Sequence, residues 1–132
     1  MGNQEEIKLK IVLSLSSNMT LKDLEKQRID LANFLSSELS SQAEIKQPSA
    51  SRSLDPAVIG AVGLAILPVT IQKLADLIVK WAELRKDSVM VINIPLKGKD
   101  SITISYNPKT TSAETLKKWI ATAVESSKLT QK

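Results

Sequence analysis

The side chains that most often carry out catalysis are missing from this chain, which contains no histidine and no cysteine. Their absence excludes histidine-based triads, cysteine nucleophiles and the usual zinc sites. Serine and lysine are plentiful and can act as a nucleophile and its base, but no motif places them together. The serines Ser36, Ser37, Ser40 and Ser41 are typical of a flexible linker. We therefore predict that the protein is not an enzyme.

Two glycines, Gly60 and Gly63, are close enough in sequence to suggest a phosphate-binding loop. Such a loop lies at a strand-to-helix turn and carries a lysine after the last glycine, whereas these two lie inside an apolar run. The acidic residues do not follow the spacing of a calcium-binding loop either. We expect no cofactor and no metal ion.

The basic residues are scattered among acidic ones, with 18 basic and 14 acidic side chains and a net charge of +4. Five lysines near the predicted hairpin and the last helix form the densest group: Lys97, Lys99, Lys109, Lys117 and Lys118. A phosphate-binding face needs a denser patch, so this group favours a solvated surface. We expect no nucleic-acid partner.

The start of the chain, MGNQEEIKLK, lacks the basic and then apolar order of a secretory signal. The absence of cysteine also removes any need for an oxidising compartment. We expect a cytoplasmic location, with conditional membrane association left open.

Local sequence patterns predict the helices and strands over much of the chain, and these elements would position any functional site. Residues 7–15 alternate between apolar and mostly polar side chains, which predicts a half-buried strand. Thr20 and Asp23 approximate a capping box before a helix over residues 21–39. Its predicted apolar stripe is Leu24, Leu31, Leu35 and Leu39.

The second half of the chain predicts a β-hairpin and a final amphipathic helix. Residues 89–94 and 102–106 are rich in β-branched side chains and predict the hairpin strands. Thr111 and Glu114 predict a second capping box. The predicted apolar side of that helix is Leu116, Trp119, Ile120, Ala123 and Val124.

These elements predict an α+β fold in a single domain over residues 1–132. We expect a small sheet of three or four strands, mixed or antiparallel, with a long apolar helix broken by proline and two amphipathic helices. Residues 40–54 are expected to form a polar loop, within which residues 43–46 are a candidate edge strand. Residues 126–132 are expected to form a flexible tail.

An apolar stretch after Asp55 and Pro56 is the most unusual feature of the sequence. Asp followed by Pro is a helix-start signal, and a helical pattern continues to Arg85. Pro68 interrupts that pattern, because a proline inside a helix removes one hydrogen bond and crowds the preceding turn. We predict a hinge at Pro68. Beyond it, the predicted inward side chains are Ile71, Leu74, Leu77, Ile78 and Trp81.

Three interpretations of this stretch remain open: burial in the core, an interface, or insertion into a membrane. The apolar run is shorter than the roughly 20 residues that a bilayer requires. Its small residues predict a ridge suited to close helix packing. The predicted interface is Ala57, Gly60, Ala61, Val62, Gly63, Leu64, Ala65 and Leu67.

The order of parts resembles the effector-associated constant component family of bacterial conflict systems. The resemblance covers residues 7–124 and rests on "LKDLEKQRIDLANFL", "LADLIVKWAELR", "VMVINI" and "ITISY", with Trp81 and Arg85 matching a Trp and Arg feature of the family. It implies a small non-catalytic component encoded beside an effector, commonly a protease, and presumed to regulate it.

The leading hypothesis is an adaptor that self-associates, or docks on a co-encoded effector, through the apolar helix over residues 56–68. The alternative is a membrane-active effector that inserts a broken helix over residues 56–85 and permeabilises a bilayer.

Overall fold

The computed structural model describes residues 7–14, 19–46, 59–84, 89–96 and 99–129. Over these residues the fold is α+β, with an open antiparallel sheet of five strands and three helices. The strands are β1 (Ile7–Leu13), β2 (Ala43–Lys46), β3 (Ala61–Ile66), β4 (Met90–Leu96) and β5 (Lys99–Tyr106). The helices are α1 (Leu21–Leu39), α2 (Ile71–Glu83) and α3 (Ala113–Leu129), and 3-10 turns span Ser40–Gln42 and Pro68–Thr70.

The first strand lies at the centre of the sheet, whose spatial order is β2, β3, β1, β4, β5. β1 pairs with β3 on one side and with β4 on the other, both antiparallel. Its side chains Ile7, Leu9, Ile11 and Leu13 are buried, while Lys8 and Lys10 are exposed. The predicted half-buried strand is therefore confirmed.

Helix α1 begins where the sequence predicted. The Thr20 side chain accepts a hydrogen bond from the Asp23 amide at 3.1 Å, and the Asp23 carboxylate accepts one from the Thr20 amide at 3.1 Å. These hydrogen bonds lower the pKa of Asp23. The four leucines of the predicted stripe, Leu24, Leu31, Leu35 and Leu39, are buried.

Polar contacts join the three helices to one another. The Trp81 indole of α2 donates to the Asp30 carboxylate of α1 at 3.1 Å. Lys117 of α3 contacts the Asp76 carboxylate of α2 at 2.6 Å, and this hydrogen bond, with the negative charge of Asp76, raises the pKa of Lys117. The predicted inward side chains of α2 are all buried, which confirms that amphipathic pattern.

The predicted apolar helix is wrong between residues 61 and 66, which form the strand β3. Val62, Leu64 and Ile66 are buried, and Ala61, Gly63 and Ala65 alternate with them on the other face. Glycine weakens a helix by about 1 kcal/mol relative to alanine, whereas β1 and β2 supply hydrogen-bonding partners on both edges of β3. Each buried aliphatic side chain contributes about 1.5–3 kcal/mol, so burial in the sheet outweighs the helical pattern.

Pro68 therefore does not lie inside a helix. It starts the 3-10 turn between β3 and α2, a position where a missing N–H does little harm. The predicted helix start at Asp55 and Pro56 lies outside the described residues.

Several boundaries also differ from the prediction. The sheet has five strands rather than three or four, because β3 joins it and the candidate strand at residues 43–46 is present as β2. The expected loop over residues 40–54 is thus structured up to Lys46, and the expected tail is helical up to Leu129.

The last helix begins one residue later than its predicted capping box implied. Ser112, rather than Thr111, caps α3: its hydroxyl accepts from the Thr115 amide at 3.2 Å. Leu116, Ile120 and Ala123 are buried as predicted, but Trp119 is 43% exposed.

Candidate interaction surface

The described helices all pack on one face of the sheet. The buried strand side chains belong to the same hydrophobic core as those of α1, α2 and α3, and the alternate residues of each strand point to the opposite side. No described helix covers that side, which we call the open face. It consists of Lys8, Lys10, Val12, Glu44, Lys46, Ala61, Gly63, Ala65, Val91, Asn93, Thr103 and Ser105.

The strand registers order the open face into rows that cross the sheet. One row runs from Lys46 through Gly63, Lys10 and Asn93 to Thr103. Thr103 donates a hydrogen bond to the Asn93 side chain at 3.0 Å, which fixes the β5 end of this row.

The two flanking rows differ in character. On one side Glu44, Ala65 and Lys8 lie next to one another. On the other side Ala61, Val12, Val91 and Ser105 form a row with no charged residue.

Small or apolar residues lie between the lysines of the open face. Ala61, Gly63, Ala65, Val12 and Val91 are all partly exposed. A Cβ atom added to Gly63 would lie 3.7 Å from the Lys46 Cβ and carbonyl oxygen, which is ordinary contact. The face is thus low at its centre, and long lysine stems can lie over such surfaces while their ammonium groups reach water.

The charges of the open face are predominantly positive. Lys8, Lys10 and Lys46 surround Gly63 and Ala65, and Glu44 is the acidic residue among the described members of the face. The Lys46 ammonium lies 3.4 Å from the Glu44 carboxylate, with both side chains well exposed. An exposed pair of this kind contributes little stability, so both groups can turn toward a partner at low cost.

The structure divides the predicted interface residues between the two faces of the sheet. Val62 and Leu64 are buried in the core, and Gly60 is buried as well, so these three residues lie away from the exposed surface of the described structure. Ala61, Gly63 and Ala65 lie on the open face, and Leu67 follows β3 in a partly exposed position. Ala57 lies outside the described residues.

The sequence interpretation missed the contribution of the other strands to this face. The alternation over residues 7–15 predicts that Lys8, Lys10 and Val12 lie on the outward side of β1, as they do, but it does not show which residues of other strands lie beside them. The signal that would have joined them to Gly63 is the alternation of large and small apolar residues in β3, which is period two rather than helical.

A second concave surface lies where the outermost strand meets the last helix. A cavity of about 480 Å³ is open to solvent and has a largely apolar wall. We call it the edge groove, and it is lined by Ile102, Thr103, Ile104, Ser105, Trp119, Thr122 and Ala123. Its walls offer a large aromatic side chain and three hydroxyl groups, but no acid or base.

The described residues meet neither the requirements of a metal site nor those of a membrane-spanning helix. Within the described ranges, acidic side chains do not gather in groups of three or more that could hold a metal ion. Among the same residues, none of the helices combines the length and the apolar character that crossing a bilayer requires. The described part of the broken helix predicted over residues 56–85 contains β3, a 3-10 turn and α2.

No family model, no curated protein and no solved structure matches the chain. The resemblance to the effector-associated constant component family stays a prediction drawn from the sequence.

Proposed function

We propose that the protein is a non-catalytic adaptor that docks on a partner protein through the open face. The single observation that supports this proposal is the composition of the open face. Antiparallel sheets commonly leave one face in water, and that face is then lined by polar side chains. Here five small or apolar residues lie among the lysines of that face: Ala61, Gly63, Ala65, Val12 and Val91.

The chemistry of the face indicates what the partner surface would carry. A partner that approaches Gly63 closely would meet three lysines around it, Lys8, Lys10 and Lys46. Acidic side chains at the rim of the partner surface would pair with them, and such charge complementarity raises association rates and selects the correct partner. We therefore propose a flat partner surface with an apolar centre and acidic edges.

A nucleic-acid partner fits this face less well. Sheet surfaces that bind single-stranded RNA use aromatic side chains as stacking platforms. The described members of the open face include none, and its central row contains glycine in place of a stacking residue.

The family resemblance suggests where to look for the partner. A co-encoded effector, such as a protease, is the candidate, and the adaptor would regulate it from the cytoplasm. The proposed contact surface is the open face rather than the helix first predicted over residues 56–68.

Charge reversal on the open face tests the proposal. The chain and the product of the neighbouring gene would be purified, and their dissociation constant measured by calorimetry. Lys10→Glu and Lys46→Glu should each weaken binding by about tenfold or more, because each places a carboxylate against an acidic surface. The matched control is Lys80→Glu on the exposed side of α2, which should leave the constant unchanged. Equal binding by all three variants would remove the open face as the docking surface.

A further inference from the structure

We propose that two copies of this chain form a dimer in which the two β5 strands pair antiparallel. The two-fold axis passes at Thr103, and the two five-stranded sheets become one continuous sheet of ten strands. The proposal concerns the edge of the sheet and does not depend on what the open face binds. It is supported by the exposure of the edge, by its sequence, and by the groove beside it.

β5 is the outermost strand of the sheet, and no described strand or helix pairs with its outer edge. The backbone N–H and C=O groups along such an edge form a template that another extended strand can satisfy. The occupant that fits best is therefore a strand, rather than a helix or a small molecule.

The two edges of the sheet differ in how they are protected. β2, at the opposite edge, has only four residues and carries Glu44 and Lys46. Short length and charge are the usual means by which proteins prevent edge-to-edge pairing. β5 has eight residues, and Ser101–Tyr106 contains neither charge nor proline, so the sequence does not oppose pairing here.

The sequence of β5 is symmetric about Thr103. Residues 101–105 read Ser-Ile-Thr-Ile-Ser in both directions. When two such strands run antiparallel with Thr103 opposite Thr103, Ile102 lies opposite Ile104 of the other copy, and Ser101 lies opposite Ser105. Opposite residues in an antiparallel pair point to the same side of the sheet, so isoleucine meets isoleucine on the helix side and Thr103 meets Thr103 on the open side.

Pairing through β5 would bury the apolar residues of the edge groove. Ile102 and Ile104 line the groove, and Trp119 lies above them with 43% of its surface exposed. A second β5 at this edge would bring its own two isoleucines to the groove and cover the indole. Burying apolar area of this kind stabilises association by about 25 cal/mol per Å² before the cost of association is subtracted.

The pairing has a consequence for the proposed function. A two-fold axis perpendicular to the sheet places both helix layers on one side and both open faces on the other. The dimer would present two equivalent docking faces side by side, and an adaptor of this form would bring two effector molecules together.

Sedimentation equilibrium of the full chain over a concentration series tests the association. We expect a dimer, and we expect Trp119→Lys to raise its dissociation constant about tenfold or more, because it places like charges beside the axis. The matched control is Ile29→Lys on α1, where the side chain is 40% exposed; this variant should remain dimeric. A wild-type monomer at all concentrations, or a Trp119→Lys variant as dimeric as the control, would overturn the proposal.

Single cysteine substitutions test the register, since the chain has no cysteine of its own. Residues directly opposite each other in antiparallel strands have Cβ atoms about 4.5–5.5 Å apart, so Thr103→Cys should form an interchain disulfide under mild oxidation. Ser101→Cys alone should not, because its two copies would be about 14 Å apart at the rise of a strand. A mixture of Ser101→Cys with Ser105→Cys should form the mixed disulfide. Efficient cross-linking of Ser101→Cys to itself would refute the register.

The dimer proposal and the docking proposal can be refuted separately. Trp119 lies on the helix side of the sheet, so a monomeric Trp119→Lys variant should still bind the effector with an unchanged constant for each open face. Loss of effector binding by Lys10→Glu, with the dimer retained, would conversely support docking alone.

Discussion

Lys10 lies directly opposite Gly63 across the ladder that joins β1 to β3, on the face of the sheet that no described helix covers. Lys46 flanks the same glycine from the other side. Because Gly63 has no side chain and lies between two lysines, its backbone is accessible on this face of the sheet. This arrangement is what distinguishes the open face from an ordinary solvated one.

We expect substitution of Gly63 to change folding stability and partner binding in opposite directions. Glycine within a strand costs roughly 0.5–1 kcal/mol relative to alanine, and an added Cβ would make ordinary contacts with Lys46 at 3.7 Å. We expect Gly63→Val to raise the free energy of unfolding by about that amount, as measured by urea denaturation. The same variant should weaken effector binding, because two methyl groups fill the low centre of the face. A destabilised Gly63→Val protein would show that the neighbouring lysines cannot adjust.

The end of α1 contains a backbone conformation that favours glycine. Ser40 has φ of 51° and ψ of −121°, and among the described residues it is the non-glycine residue with positive φ. A side chain in such a conformation costs of order 1 kcal/mol or more. Ser40→Gly should therefore stabilise the fold by about 0.5–1 kcal/mol in thermal or urea unfolding.

Ser41→Gly is the matched control for that change. It alters the neighbouring serine of the same 3-10 turn, where no positive φ favours glycine. It should lower stability slightly, through the larger conformational freedom of the unfolded chain. Equal effects of the two substitutions would contradict the strain argument.

The buried side of α1 carries a charged residue whose hydrogen bonding is incomplete. Arg28 is buried, its Nε has no hydrogen-bonding partner among the described residues, and its guanidinium lies 3.9 Å from Glu25. An unsatisfied buried donor costs about 1–3 kcal/mol, and replacing a buried charge by an apolar side chain of similar size is often neutral or stabilising.

We expect Arg28→Leu to raise the free energy of unfolding by about 1 kcal/mol, measured in urea. Arg28→Ala is the informative comparison, because it removes the charge but also the packed stem, and it should be less stable than Arg28→Leu. A loss of stability in Arg28→Leu would mean that the guanidinium makes a contact that stabilises the fold.

Tyr106 makes the fold sensitive to alkaline pH. Its side chain is 2% exposed, and burial, with the nearby negative charge of Glu83, raises the pKa of Tyr106 above its usual value of about 10. The unfolded chain therefore loses the phenolic proton first as the pH rises. Stability from this group is complete below about pH 10 and declines above it.

The measurement compares wild type with Tyr106→Phe in urea at a series of pH values. The wild-type free energy of unfolding should fall relative to the variant above about pH 10. Because the chain has one tyrosine, the near-ultraviolet absorbance of phenolate reports its titration directly. A titration at the usual pKa in the folded protein would contradict the burial argument.

Much of the fold was predictable from local patterns. The alternation in β1, the capping box of Thr20 with Asp23 and the leucine stripe of α1 were read correctly, because each depends on residues close in sequence. The same holds for the hairpin of β4 and β5, which local β-branched residues indicate.

The strand β3 was not predictable from local patterns alone. Its outward residues Ala61, Gly63 and Ala65 are small and apolar, so the usual contrast between polar and apolar positions is absent, and a short apolar run does not distinguish strand from helix. Its identity depends on β1 and β2, which pair with both of its edges from a distance in sequence. The open face was missed for the same reason, since it exists only once those strands are side by side.

The strand order also sets the sequence of events during synthesis. β1 is made first, yet its two neighbours begin at Ala61 and Met90. Until both have left the ribosome, Ile7, Leu9, Ile11 and Leu13 have no sheet to join. Contacts this distant in sequence slow folding and prolong the exposure of aggregation-prone segments. The nascent chain therefore carries its central strand without either pairing partner until Ala61 and the residues after it have been made.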